Sequence, residues 1–283
     1  MSVSSSELEA LIALLDDSDR AVQEAVEARF NELGRAALPA LRAARERVDA
    51  GLADRVEALA RRLHWQSVRD AWHAVMEQAP VDLERATFLL ALYRFPDLDI
   101  GAYQQRLDRL AEAVRPRVEQ AQGVRRAAII ARFLFDEQGF QGNRRHYFDA
   151  NNSYINRVLD RQLGIPISLS VLFLLVAQRL NVPVYGVNLP AHFLVKYMGP
   201  GGDAFFDPFS EGERVTQQAC MRFLVQAGVE PTAEHFQAAD PQAIVLRMAR
   251  NLLIIAQEND QPRMTRDLRA LMAPYDPDVA RLE

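Results

Sequence analysis

The chain has 283 residues, with 33 Lys and Arg against 38 Asp and Glu (net −5), and it is 49% hydrophobic and 25% charged. That length suits about two domains, each able to bury a core. The charge fraction, with 14 Phe, 7 Tyr and 2 Trp, excludes a disordered chain. A mildly acidic balance also argues against a general nucleic-acid binder, which needs a concentrated basic face. The only lysine is Lys196, and the arginines are scattered among acids rather than grouped. Cys220 is the single cysteine, so an intramolecular disulfide and a cysteine zinc site are ruled out. The N-terminal stretch MSVSSSELEALIALLDDSD turns acidic without a basic leader and does not read as a signal peptide. The strongest apolar run, Ile165 to Ala177, is shorter than the roughly 20 residues of a membrane span. A cytoplasmic protein with no membrane partner is the expectation.

In chain order, Leu8, Leu11, Ile12 and Leu15 recur at helix spacing. Asp16-Asp17-Ser18-Asp19 then breaks the pattern and caps a second helix carrying Val22, Ala25, Val26 and Phe30, which Gly34 closes. A third helix restarts at Leu38-Pro39-Ala40-Leu41. The segment LLDDSDRAVQEAVEARFNELGRAALPAL resembles one HEAT-type repeat, which implies a helical cap over residues 1–50, since a solenoid needs three or more units. Residues 52–119 continue as helices, with stripes at Val81 to Tyr93 and at Tyr103, Leu107, Leu110, Val114 and Val118. Trp65 and Trp72 share one helix face, which signals core or a docking seam.

Residues 124–136 predict a further helix, followed by a Gly-, Asn- and Asp-rich loop from Glu137 to Asn152. Ser153 is placed as the N-cap of a helix with Ile155, Val158, Leu159 and Leu163 on one face, closed by Gly164. Pro166 fits the first turn of the next helix, which runs to about Leu180. The period then changes. Val182 to Val187, Phe193 to Met198 and Ala204 to Phe206 are β-type runs, the last two joined as a hairpin by Gly199-Pro200-Gly201-Gly202-Asp203. From about residue 214 the pattern is helical again and ends in a pair, 241–258 and 261–273. The fold class is α+β: mostly helical, with a small antiparallel sheet packed on a central helix.

Three features between residues 150 and 210 converge on chemistry: the helix start Gly164 to Ser170, His192 opening a strand, and Asp207 closing the next. Pairing of those strands as a hairpin puts His192 and Asp207 near its open end, where the carboxylate fixes the imidazole tautomer as the third member of a triad does. A nucleophile at the helix start would complete the set. That order of helix start, His strand and Asp strand resembles the transglutaminase-like, papain-related superfamily. More closely, RHYFDANNSYINRVLDRQLGIPISLSVLFLLVAQRLNVPVYGVNLPAHFLVKY and FFDPF resemble the SirB-type transglutaminase-like proteins, bacterial proteins named after an invasion regulator, with a related domain in some F-box proteins. The resemblance extends to Tyr93-Arg94-Phe95-Pro96-Asp97-Leu98-Asp99 and to Arg247-Met248-Ala249-Arg250-Asn251-Leu252, the latter in a tetratricopeptide-like unit. It implies a transglutaminase-like domain over residues 51–213 and a helical C-terminal unit over residues 214–283.

The chain departs from that pattern at one point. The superfamily's enzymes carry a cysteine at the helix start, and counting back from Pro183 places Pro166 there. Ser168 and Ser170 follow, rotated by roughly 200° and 40° from that face. Cys220 comes after both His192 and Asp207, so chain order does not make it the nucleophile. The expected function is therefore a protein- or peptide-binding regulatory module with a retained His–Asp pocket. Two alternatives remain: a hydrolase or acyl-transfer enzyme using Ser168 or Ser170 with His192 and Asp207, and a noncovalent His–Asp general acid/base site. Asn151 and Asn152 are candidate substrate-binding amides, or else loop and cap residues. Arg144-Arg145-His146 reads as a solvated basic loop, with a phosphate contact as the alternative. The remaining histidines show no metal-ligand spacing, so neither metal nor cofactor is expected.

Overall fold

The computed structural model describes residues 4–280, which divide into two compact units: the described residues up to 74 with 92–96, and residues 75–91 with those from 97 onward. In the first unit, α1 (Ser5–Ala13), α2 (Arg20–Leu33), α3 (Leu38–Arg45) and most of α4 (Ala50–Met76) surround their own core. Val26 and Phe30 on α2, Leu38 and Leu41 on α3, and Leu52, Val56, Leu59 and Leu63 on α4 recur at spacings of three and four, which put them on one face of each helix. Asp19 caps α2 by accepting the Ala21 N–H at 2.8 Å, and Gly34 ends it at φ +52°. Trp65 packs edge-on against Tyr93 at 5.7 Å, and Trp72 is fully buried.

The second unit holds the remaining elements: α5 (Leu83–Arg94) in large part, α6 (Ile100–Glu119), α7 (Val124–Arg132), α8 (Ile155–Arg161) and α9 (Pro166–Arg179). α9 is its central helix. Every residue from Pro166 to Ala177 is buried, two serines included, so the helix is covered on all sides. Its far end is fixed by Arg179, which pairs with Glu84 at 2.6 Å and Asp108 at 2.7 Å. Against α9 lies an antiparallel meander of β3 (Val184–Leu189), β4 (His192–Tyr197), β5 (Ala204–Asp207) and β6 (Glu213–Val215), in spatial order 3-4-5-6, after the two-residue strands β1 (Gln141–Gly142) and β2 (Leu163–Gly164), which pair in parallel.

Strand alternation sorts the sheet's faces. Val195 pairs with Phe206, and Phe206 meets Phe173 of α9 edge to face at 6.1 Å, so this face turns to the helix. The opposite face carries Val187, Leu194 and Phe205, which pack with Cys220 and Leu224 of α10 (Gln217–Gln226) and with Phe236. A helical pair, α11 (Pro241–Glu258) and α12 (Pro262–Met272), and the short α13 (Pro277–Ala280) complete the chain. This is the α+β architecture that the periodicity predicts.

Three local expectations are corrected. Ser153 is not the cap of α8: a 3-10 turn at Ala150–Asn152, capped by Asp149, comes first, and α8 starts after Tyr154. Gly164 does not end α8. Gln162 does so in the left-handed conformation, while Gly164 belongs to β2, where a side chain would meet the Ser168 hydroxyl at 2.8 Å. The helix expected from about residue 214 starts only at Gln217, because residues 213–215 pair with β5 as the strand β6. Among the described residues, no helix is long and apolar enough to cross a membrane.

Candidate functional site

The turn Pro190-Ala191 links the paired residues Leu189 and His192, with Ala191 at φ +59°. Pro190 sets its own φ, and Ala191 takes the left-handed conformation that glycine usually supplies. Arg247 of α11 braces this turn by donating to the Asn188 side chain and, at 2.8 Å, to the Leu189 carbonyl. Burial lowers the pKa of that guanidinium. Extending the β4–β5 register by one places Leu194 opposite Asp207, so His192 and Asp207 are diagonal neighbours on one face of the sheet.

Their side chains meet. His192 Nε2 lies 2.9 Å from Asp207 Oδ2, and the two side chains are only 16% and 13% exposed. The other carboxylate oxygen, Oδ1, accepts the N–H groups of Phe209 at 3.0 Å and Ser210 at 3.3 Å. Burial alone would raise the Asp207 pKa, but the hydrogen bond and charge of His192, with the donors at residues 209 and 210, bring it below the ordinary carboxylate value. An ionised carboxylate only accepts. Nε2 must therefore carry the proton, and in the neutral ring Nδ1 is left as the acceptor. Among the described residues Nδ1 has no hydrogen-bond partner.

Both residues line an open cleft of about 490 Å³, a size suited to a small ligand or a few peptide residues. Pro166, the first residue of α9, lines it too, as do Leu189, Ala191, Leu194 and Val215. Its aromatic wall is Tyr147, Phe209 and Phe223. The His192 ring lies 5.5 Å from Phe223 and 6.4 Å from Phe209.

The other candidates lie elsewhere. Ser168 is fully buried: its hydroxyl donates to the Asn152 carbonyl at 2.5 Å and accepts the Ile165 N–H at 3.0 Å, capping its own helix. Ser170, also fully buried, reaches the Phe193 carbonyl at 3.5 Å. Neither hydrogen-bonds His192, and neither lines the cleft. Asn152 is engaged throughout: its amide nitrogen donates to the carbonyls of His146 (2.7 Å) and Tyr147 (3.1 Å), and its oxygen accepts from Asn143 at 3.0 Å. Asn151 donates to Asp149 through backbone and side chain. Both asparagines shape the loop before α8 rather than the cleft.

Two further residues line the cleft: Cys220, which chain order set aside as a nucleophile, and Arg144, which the sequence reading gave as part of a solvated loop with a phosphate contact as the alternative. Cys220 lines the cleft despite its late place in the chain. Burial and the charge of Asp207 raise its pKa, so the thiol stays protonated and is poorly suited to attack. Arg144 also lines it, with its guanidinium 4.7 Å above the Phe209 ring and donating to the Phe209 carbonyl and the Ser210 hydroxyl. The signal available in the sequence was the basic-aromatic run Arg144-Arg145-His146-Tyr147-Phe148. Among the described residues, no group of three or more His, Cys, Asp or Glu side chains could hold a metal ion.

Comparison with known proteins gives a consistent pattern. The profile of the transglutaminase-like superfamily matches residues 101–250, from α6 into α11. The UPF0162 protein of Xylella fastidiosa (strain 9a5c) is 32% identical over 218 residues, covering 74% of this chain and 78% of that one. The Vibrio cholerae UPF0162 protein is 30% identical over 177 residues, 59% of this chain and 64% of its own. F-box only protein 21 of Homo sapiens is 34% identical over 160 residues, 53% of this chain but 25% of that protein. No solved structure matches the chain.

Proposed function

Because the chain belongs to the transglutaminase-like superfamily, we propose that it is a member without the cysteine nucleophile, whose His192–Asp207 cleft binds a peptide-like ligand noncovalently as part of a regulatory module. One observation carries this reading: the cleft that holds the His192–Asp207 pair presents Pro166 at the first position of α9, a residue with no group that can attack. Helical units flank the cleft domain in sequence, and the proposal takes α2–α3 as a HEAT-like and α11–α12 as a tetratricopeptide-like pair that present partner surfaces. A cytoplasmic setting belongs to the same proposal, supported by the free thiol of Cys220.

A second reading rests on a separate observation. With Nε2 committed to Asp207, Nδ1 of His192 is the acceptor of the neutral ring and has no hydrogen-bond partner among the described residues, on an open cleft. Such a group activates water or a substrate hydroxyl without a covalent intermediate. Labelling with a fluorophosphonate probe, mapped by mass spectrometry, and hydrolysis of p-nitrophenyl esters and peptide anilides separate the possibilities, with His192→Ala as control. The binding reading expects neither labelling nor turnover above the control. Turnover lost in His192→Ala, without labelling, would establish the general-base reading in its place. Labelling at Ser168 or Ser170 would overturn both.

A further inference from the structure

We infer that Arg144 is an anion anchor of the cleft, and that the ligand is a peptide-like molecule whose carboxylate docks on it while its apolar part lies among Tyr147, Phe209 and Phe223. This rests on the ligand-binding reading above and adds the class of ligand. Charge accounting around the cleft carries it. The lining set contains one carboxylate and one permanent cation. The carboxylate, Asp207, is fully used: Oδ2 accepts from His192, and Oδ1 accepts the N–H groups of Phe209 and Ser210. Arg144 is not used in this way. Among the described residues no carboxylate lies within ion-pair distance of Arg144, which is exposed at the cleft and donates to the Phe209 carbonyl and the Ser210 hydroxyl.

Arg144 is also held in place. Its guanidinium lies on the Phe209 ring at 4.7 Å, and one nitrogen, Nη2, donates to the Phe209 carbonyl at 3.3 Å and the Ser210 hydroxyl at 3.4 Å. The remaining N–H groups on Nε and Nη1 have no protein acceptor among the described residues. A guanidinium positioned in advance, with donors to spare, binds a carboxylate at low ordering cost. Its loop is fixed from below, since Asn152 holds the carbonyls of His146 and Tyr147 and the side chain of Asn143. The apolar component is explicit too: Tyr147 and Phe209 meet edge to face at 5.9 Å, and the solvent-exposed Phe148 flanks Tyr147 at 5.3 Å. A monoanion suits one partly used guanidinium better than a phosphate dianion, which calls for more donors than this wall offers.

The test uses the 283-residue chain with isotope-labelled histidine. The probes are N-acetyl-Leu-Phe with a free C-terminal carboxylate and the same dipeptide as its C-terminal amide. Calorimetry gives the affinity ratio, and the His192 ring resonances report whether the cleft is occupied. The expected result is a shift of the His192 signals by both probes, with the acid tighter by about tenfold (1.4 kcal/mol) or more. That ratio falls towards one in Arg144→Gln, while Arg144→Lys retains part of it. Thermal unfolding of both variants confirms that they are folded. Equal binding of acid and amide, with His192 responding, overturns the anchor and leaves the ligand-binding reading standing. A preference for the acid that survives in Arg144→Gln also overturns it. Failure of both probes to perturb His192 overturns the anchor together with the ligand-binding reading. Displacement of the acid by inorganic phosphate more strongly than by acetate overturns the assignment to a carboxylate.

Discussion

At the scale of single residues, the site turns on how few groups are free. Asp207 supports the imidazole with one oxygen and the turn at Pro208–Ser210 with the other. Its pKa is depressed in the fold, so its contribution to stability is complete above the ordinary carboxylate range and is lost as pH falls through the lowered folded value. Asp207→Asn is expected to cost about 1–3 kcal/mol near neutral pH and to flatten the acid limb of the stability curve. Urea denaturation between pH 3 and 7 checks both, and an unchanged acid limb would assign that limb to other carboxylates. Pro166 offers a gain-of-function test. In Pro166→Cys a thiol stands at the start of α9, where the helix N-terminus favours the thiolate. Its alkylation by iodoacetamide at pH 7 is expected to exceed that of Cys220, and to fall when His192→Ala is added. A thiol no more reactive than Cys220 would mean that Pro166 does not stand at the catalytic position of the fold.

At the scale of elements, the helices were legible because their signals are local. Asp19, Asp99 and Thr216 cap helices through their own side chains, and the apolar residues of α2 and α6 recur at helical spacing. The hairpin that brings His192 to Asp207 was legible for the same reason, from two apolar runs about a glycine-rich loop. β1, β2 and β6 were not, since strands of two or three residues are too short to show alternation. Nor was Arg144, whose place in the cleft depends on Phe209, 65 residues away. That approach requires Gly142, because a Cβ there would lie 2.6 Å from the Phe209 ring and 2.8 Å from its carbonyl. Gly142→Ala is expected to displace Phe209 and cost about 1–3 kcal/mol; retained stability with unchanged ligand affinity would show that this contact yields easily. The Pro190-Ala191 turn makes the opposite prediction. Ala191→Gly relieves the left-handed strain and is expected to leave stability unchanged or raise it by up to about 1 kcal/mol in chemical denaturation.

For the whole molecule, the relevant property is that the first unit has a core of its own. Leu41 is fully buried in a cluster formed by residues 12–63. Leu41→Ala is expected to destabilise that unit by about 2–5 kcal/mol. Hydrogen exchange read by mass spectrometry should then lose protection across residues 20–63, while peptides covering the sheet at residues 184–215 keep theirs. Equal loss in both would mean that the two units unfold as one. The helical order of the first third was readable in the sequence, but the division of the chain was not. Residues 92–96 belong with the first unit and residues 75–91 with the second, a pairing across the sequence that periodicity does not encode.

The two oxygens of Asp207 have an evolutionary corollary. One carboxylate serves the turn and the imidazole together, so purifying selection for folding alone would hold an aspartate at position 207 in lineages that had abandoned any use of the cleft. Position 192 carries no such second duty, since the imidazole has no described hydrogen bond besides the one to Asp207. Drift at 192 against constancy at 207 would therefore mark the lineages in which the pocket has fallen silent. Joint constancy of 192 and 144 would mark those in which it is still in use.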